Sequence, residues 1–112
     1  LMAPAARALA PSLEALEPCA PSGNVYSSVN GKVASANEIK DILAAQLTNP
    51  VRWEETIEAM LVHGAEAFVE VGPGKVLGGL IRRIAKDTAI YSAADPGGLE
   101  KLVASKKGDI VR

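Results

Sequence analysis

The sequence holds few of the residues that build disulfides, metal sites and membrane spans. Its 112 residues include one cysteine, Cys19, and one histidine, His63. A single cysteine excludes a disulfide within the chain and a cysteine-rich zinc site, and a single histidine excludes a site that needs two imidazoles. No apolar run approaches the roughly 20 residues that a membrane span requires, and the first residues lack the pattern of a signal peptide. We therefore expect neither a metal site nor a membrane partner.

Neither sign of charge is in surplus. Twelve Lys and Arg residues oppose 13 Asp and Glu residues, which gives a formal net charge of −1 at pH 7. Proteins that bind nucleic acids normally carry a basic surplus, so a nucleic-acid partner is disfavoured. Hydrophobic residues make up 48% of the chain and charged residues 22%, a balance that is typical of globular domains.

The spacing of apolar residues predicts helices that alternate with strands. Ser35 and Glu38 form a capping box that opens the second helix. Asn49 and Pro50 separate that helix from the third, and Pro11 is expected to kink or break the first. The predicted elements are a helix over 2–16, a strand over 25–29, helices over 39–47 and 50–63, a strand over 67–71, a helix over 77–84, a strand over 88–92 and a helix over 99–105.

This order of elements predicts an α/β fold. Strands separated by helices imply a parallel sheet with right-handed crossovers and a layer of helices on each face. Three strands are fewer than the usual number of about four to six, so we expect the three-layer, parallel-sheet portion of a larger core. Ligand sites in such folds lie beyond the carboxyl ends of the strands, here at 28–30, 72–74 and 92–94.

The Gly72-Pro73-Gly74-Lys75 loop, between a strand and a helix, invites comparison with phosphate-binding loops. A Walker loop needs a glycine where Val69 stands and a Ser or Thr where Val76 stands, and a dinucleotide loop needs a glycine at Leu77. The spacing therefore favours a structural turn, with contact to an anion as the alternative.

Gln46 and a group of basic residues are the polar residues that invite a function. Gln46 falls on the apolar face of its helix. It is either a satisfied amide, an amide near the helix end whose tip reaches solvent, or a group that orients a catalytic side chain. Lys75, Arg82 and Lys86 share one helix face with Arg83 beside them. That face is either solvated or docks an acidic protein or a phosphate-bearing ligand. Neither His63 nor Cys19 lies in a motif for nucleophilic catalysis.

Two segments, Gln46 to Trp53 and Phe68 to Leu77, resemble the C-terminal part of malonyl-CoA:acyl carrier protein transacylases. These enzymes are related to polyketide-synthase acyltransferase domains, and the resemblance extends over residues 1–94. It implies an α/β-hydrolase-like core in which malonyl passes from coenzyme A to a serine and then to the carrier protein's phosphopantetheine thiol. It also implies that this serine and its histidine precede Leu1, so the chain alone should be inactive.

The resemblance implies roles for a few residues of this chain. The Gln46 main-chain carbonyl matches the group that holds the absent histidine, and Arg82 and Arg83 match a site that docks the acidic carrier protein, with Lys75 beside them. No cofactor is implied, because malonyl-CoA is a substrate. The expected partners are acyl carrier protein and the N-terminal part of the enzyme. Ser28 departs from the asparagine often found at its position.

The implied organisation is an incomplete acyltransferase core over 1–105 and a flexible tail over 106–112. The implied location is the bacterial cytoplasm, or an organelle matrix or stroma in a eukaryote. The alternative is a free-standing α/β module that binds acyl carrier protein or a phosphorylated ligand without catalysis.

Overall fold

The computed structural model describes residues 1–105, and the tail expected over 106–112 lies outside the described residues. The chain divides into two compact units, the first Leu1–Val62 and the second beginning at His63. The elements are α1 (Ala3–Glu14), α2 (Ile39–Ala45), α3 (Trp53–Val62), β1 (Ala67–Val71), α4 (Val76–Ile84), β2 (Ala89–Ala93) and α5 (Pro96–Ser105). The predicted α/β class with a small parallel sheet is confirmed. None of these helices is both long and apolar enough to cross a membrane.

In the first unit, α1 contains two prolines and remains one helix. Pro4 lies in its first turn, where an N–H would have no helical partner. The helix continues through Pro11, so of the predicted kink or break the break is wrong and the kink stays a prediction. The Ala15 N–H still reaches the Pro11 carbonyl at 3.2 Å, which shows that helical bonding resumes after the one bond that proline removes. α1 packs on α2, and Leu13 is its buried residue.

The segment predicted as a strand over 25–29 does not join the sheet, and that prediction is wrong. Tyr26 forms an isolated antiparallel bridge with Val33. On either side of this bridge, the Ala34 N–H bonds to the Val25 carbonyl at 2.7 Å and the Ser27 N–H bonds to the Lys32 carbonyl at 2.8 Å. Gly31, with a φ of 67°, reverses the chain between them. The β-favouring residues therefore find their backbone partners in a narrow local hairpin instead of the sheet.

The tip of this hairpin lies against α3. The Ser28 carbonyl accepts the Arg52 N–H at 2.8 Å. A Cβ at Gly31 would lie 3.2 Å from the Glu55 Cβ, so the backbone can approach the helix this closely because the residue is glycine. The hairpin thus fixes the point at which α3 begins.

The buried side of α3 is centred on Ile57, which is 2% exposed. Thr56 is buried beside it, and its hydroxyl donates a bond of 2.6 Å to the Arg52 carbonyl. Trp53, the single tryptophan of the sequence, is half-buried at the first position of the helix. Its indole N–H is buried without a hydrogen-bond partner among the described residues.

The second unit is built on two parallel strands. β1 and β2 pair in register, from Ala67 opposite Ala89 to Val71 opposite Ala93. The Gly72 N–H extends the pairing with a bond of 3.0 Å to the Ala93 carbonyl. The predicted bounds of β1 are confirmed, and β2 begins and ends one residue later than predicted.

Two helices pack on this sheet. α4 contacts both strands, and α5 contacts β2. Gly78 lets α4 approach closely, because a Cβ there would lie 3.3 Å from the Ile90 Cγ2. α5 begins three residues earlier than predicted, at Pro96, since the Asp95 carboxylate caps it by accepting the Gly98 N–H at 2.6 Å.

One side of β1 is bare. Val69 is 36% exposed and Val71 is 73% exposed, whereas Ala93, which pairs with Val71, is 4% exposed. Parallel strands are normally covered on both faces. Within residues 1–105, β1 therefore lacks the cover that this kind of strand usually has.

Candidate functional site

Three of the four basic residues singled out in the sequence lie at the two ends of α4, and the fourth, Lys86, lies two residues after the helix ends. Lys75 is the N-cap residue, and Arg82 and Arg83 lie in the last turn. All three are exposed. The ion pair found among residues 1–105 joins Arg52 to Glu55, so no described carboxylate neutralises these three cations at salt-bridge distance.

The helical period relates these cations to one another. Lys75 and Arg82 are seven residues apart, which places them near the same side of α4 at a separation of about 10 Å along its axis. The two arginines also lie near the negative end of the helix dipole, which stabilises them in that turn. The arrangement is suited to attracting an acidic surface, and it can equally remain solvated.

The start of α4 is held by a carboxylate from β1. Glu70 accepts the Leu77 N–H through Oε1 at 3.1 Å and the Gly78 N–H through Oε2 at 3.0 Å. These two donors would otherwise be unpaired at the end of the helix. A negative charge at this position is also stabilised by the helix dipole.

This contact bears on the interpretation of the glycine loop. Gly72 has a φ of 126° and Gly74 a φ of 98°, both in the region that favours glycine. Because Glu70 already occupies the N–H groups that would face an anion, the geometry favours the structural turn over contact with a phosphate.

Gln46 lies directly after α2, as its C-cap residue, and it is exposed. The surrounding turn is held by bonds to the Ile42, Ala44 and Ala45 carbonyls. Ala45 also accepts a bond of 2.7 Å from the Asn49 side-chain amide. None of these bonds uses the Gln46 carbonyl, which is the group that the family resemblance assigns to holding a histidine.

The remaining candidates do not form a catalytic group. His63 lies one residue after α3 and is exposed. Ser27 is buried, and its hydroxyl accepts the Val29 N–H at 3.1 Å. The part of the chain that the structure describes contains no cluster of three metal-ligating side chains.

A small apolar cavity of about 190 Å³ lies in the first unit beside Cys19, which is exposed and carries a free thiol. Its polar lining residue, Ser35, has its hydroxyl bonded to Glu38 at 2.7 Å. The other lining residues are Pro18, Pro21, Val25, Ala34, Ala36 and Ile39.

Two carboxylates cap helices in a way that was not predicted from the sequence. Glu70 stands two residues before Gly72, and Asp95 directly precedes Pro96. The Asp-Pro pair is a recognisable signal for the start of a helix. The Glu70 contact has no comparable local signal, because it spans seven and eight residues across the glycine loop.

Relatives of known identity match most of this chain. No family model matches it. The malonyl CoA-acyl carrier protein transacylase of Haemophilus influenzae is 44% identical over 96 residues, which are 85% of this chain and 31% of that protein. An MCAT crystal structure from Streptococcus pneumoniae superposes with a TM-score of 0.83 at 28% identity, over 91% of this chain and 33% of that one.

A further match shows a transacylase with its partner. In PlMCAT:AntF, a type II polyketide-synthase acyl carrier protein is in complex with its malonyl-transacylase. The match has a TM-score of 0.82 and 37% identity, over 93% of this chain and 34% of that chain. The fold and these relatives are those of acyltransferases. The chain is similar to malonyl CoA-acyl carrier protein transacylases and spans about a third of the length of the relatives that it matches.

Proposed function

We propose that this chain is the C-terminal third of an enzyme that transfers malonyl from coenzyme A to acyl carrier protein. The observation that carries the proposal is the match to named transacylases over 85% of the chain and 31% of the relative's length. The reaction forms an acyl-serine intermediate, which the carrier protein's thiol then attacks. In this proposal the serine and histidine belong to the preceding part of the enzyme, and the enzyme works in the bacterial cytoplasm or in an organelle matrix or stroma.

Within that enzyme, Gln46 supports the histidine through its backbone. Its carbonyl follows the last turn of α2 and takes no part in the bonds that hold that turn. A backbone acceptor on a rigid turn can fix the tautomer and the orientation of an imidazole. Gln46 therefore positions the histidine and does not touch the malonyl group.

The second role of the chain is to dock the carrier protein. Lys75, Arg82 and Arg83 are exposed cations without a described carboxylate at salt-bridge distance. The relative in complex with an acyl carrier protein supports a docking surface within this family. Charges of this kind act mainly by steering an acidic partner into place.

The exposed apolar side of β1 supports the proposal that the chain is one part of a longer enzyme. Val69 and Val71 are apolar and exposed on a strand type that is normally covered. In the proposed enzyme, the preceding part of the polypeptide covers them.

Incubation with malonyl-CoA followed by intact mass spectrometry tests the catalytic part of the proposal. We expect a malonyl adduct on the complete enzyme and none on the 112-residue chain. A malonyl adduct on the purified chain would contradict the assignment of the reactive serine to the preceding part.

Charge reversal tests the docking role in the complete enzyme. We expect the Arg82→Glu and Arg83→Glu pair to raise the KM for acyl carrier protein about tenfold, which corresponds to about 1.4 kcal/mol for two reversed charges. The KM for malonyl-CoA should not change. The matched control reverses two other exposed cations, Arg7 and Lys101. An equal rise in both KM values, or the same rise in the control, would refute docking at α4.

A further inference from the structure

We propose that Glu70 is a positioning residue that holds Lys75 in place for carrier-protein docking. The inference rests on the proposed function and adds a residue that the docking surface itself does not contain. Glu70 does not touch the partner in this proposal. It acts through the backbone at the start of α4.

The loop that carries Lys75 is held at its two ends. At its start, the Gly72 N–H bonds to the Ala93 carbonyl at 3.0 Å. At its far end, the Glu70 carboxylate accepts the N–H groups of Leu77 and Gly78 at 3.1 and 3.0 Å. Both residues lie in the first turn of α4. Bonds of an ionised carboxylate to backbone N–H groups are stronger than neutral ones, so this end is the firmer of the two.

Besides the bonds at its ends, the loop has one further backbone bond, in which the Lys75 carbonyl accepts the Gly79 N–H at 3.2 Å. Space is open around the positions where Gly72 and Gly74 would carry a Cβ. Lys75 is the N-cap residue, yet its side chain makes no capping bond. Glu70 therefore supplies the capping that Lys75 cannot provide for itself, and loss of its carboxylate leaves the backbone of Lys75 held, among residues 1–105, only by the bond from Gly79.

The two arginines depend less on this contact. Arg82 and Arg83 lie in the last turn of α4, next to Ile81, which is 5% exposed and anchors that end of the helix. Helix termini fray locally, within about one turn. Loss of the Glu70 contact should therefore displace Lys75 and leave the arginines in place.

The sign of the expected effect separates positioning from simple electrostatics. Removing a negative charge from this surface should strengthen its attraction for an acidic carrier protein and lower the KM. If Glu70 positions Lys75, its removal should raise the KM instead. Glu66, an exposed glutamate four residues earlier, provides the matched control for the loss of charge.

The test is a set of kinetic measurements on the complete enzyme with Glu70→Ala, Glu70→Gln, Lys75→Ala, the Glu70→Ala/Lys75→Ala double variant and Glu66→Ala. We expect Glu70→Ala to raise the KM for acyl carrier protein about threefold, as Lys75→Ala does, with malonyl loading from malonyl-CoA unchanged. The double variant should be no worse than either single variant, because both remove the same interaction. Glu70→Gln keeps one acceptor oxygen and should lie between Glu70→Ala and the parent enzyme.

The outcomes distinguish this inference from the proposed function. If Lys75→Ala and the Arg82/Arg83 reversals leave the KM for carrier protein unchanged, docking at α4 is wrong and the inference fails with it. If those variants raise this KM and Glu70→Ala behaves like Glu66→Ala, docking stands and the role of Glu70 is refuted. Fully additive effects of Glu70→Ala and Lys75→Ala, or an equal loss of malonyl loading, would also overturn the inference. Should Glu70→Ala fail to fold, Glu70→Gln decides by the same comparisons.

Discussion

β1 and β2 pair residue for residue, yet the two side chains of their last pair are buried to very different degrees. At the carboxyl end of the ladder, Val71 is 73% exposed and its partner Ala93 is 4% exposed. α5 packs on β2, and the larger of the two residues is the one left bare. A core that was complete within residues 1–105 would bury the valine first, since it has the larger apolar surface to remove from water.

This difference in burial divides the apolar residues of the sheet into those that are covered by a helix and those that are exposed. Those under α4 and α5 stabilise this chain as it stands. Those on the bare side of β1, Val69 and Val71, can contribute only when something else covers them. The chain matches about a third of each relative, so in a protein of that length other residues are available to cover Val69 and Val71.

The largest effect is expected from truncation of the covered side. Ile81→Ala should lower the free energy of unfolding of the 112-residue chain by about 3 kcal/mol, because a buried side chain leaves a cavity. Val71→Ala should change it by less than about 0.5 kcal/mol. Urea denaturation measures both, with Val62→Ala as a control at another exposed valine. Equal costs for Ile81→Ala and Val71→Ala would show that β1 is not bare in solution.

A smaller effect is expected from placing charge on the bare side. The Val69→Lys and Val71→Lys pair should reduce self-association of the 112-residue chain several-fold, because lysine blocks edge and face contacts between copies. The same pair should lower the folded yield of the complete enzyme, in which these positions are covered. Light scattering and yield of active enzyme are the readouts. The control pair, Val51→Lys and Val62→Lys, alters exposed valines outside the sheet. Equal behaviour of both pairs would contradict a special role for β1.

The smallest effect concerns an exposed contact in the first unit. The Ser35 hydroxyl and then its N–H, at 2.7 and 3.0 Å, hold the pKa of Glu38 below its ordinary value of 4.5. A carboxyl whose pKa is lower in the folded state stabilises it fully above the ordinary value and loses that effect as pH falls through the lowered pKa. The gap in Tm between the parent chain and Glu38→Gln should therefore be widest near neutral pH and close below about pH 4.5.

Ser35→Ala should show the same narrowing of the Tm gap, since it removes the largest cause of the lowered pKa. Ser12→Ala, at an exposed serine of α1, is the matched control. A gap that stays constant between neutral and acid pH would show that the Ser35–Glu38 contact does not form in solution.

The bounds of β1 could be predicted from the sequence because its pattern agrees with its surroundings. A short β-favouring run is followed by the Gly72-Pro73-Gly74 loop, and the structure pairs it as expected. The run at 25–29 has a similar local pattern. The prediction that this run joins the sheet is wrong because the Asn30-Gly31 turn lets the run pair with the residues that follow it, around the bridge between Tyr26 and Val33. Local propensity predicts extended backbone, but it does not determine which partner that backbone finds.

The candidate site was predictable to a similar extent. The exposure of Arg82 and Arg83 follows from the period of α4, and the structure confirms that both arginines are exposed. The role proposed for Gln46 needs a histidine that this chain does not contain, so it stays a prediction. The Glu70 contact depends on how two glycines in left-handed conformations bring a helix back over its strand, which no short-range pattern encodes.

The half-buried tryptophan of α3 gives the molecule a built-in spectroscopic probe. The sequence has no second tryptophan, and Trp53 belongs to the first of the two units. Selective excitation of tryptophan therefore reports on that unit alone, because the second unit contains no tryptophan. Loss of order in that unit can be followed without any added label, and the emission maximum will register any change in the surroundings of the buried indole N–H.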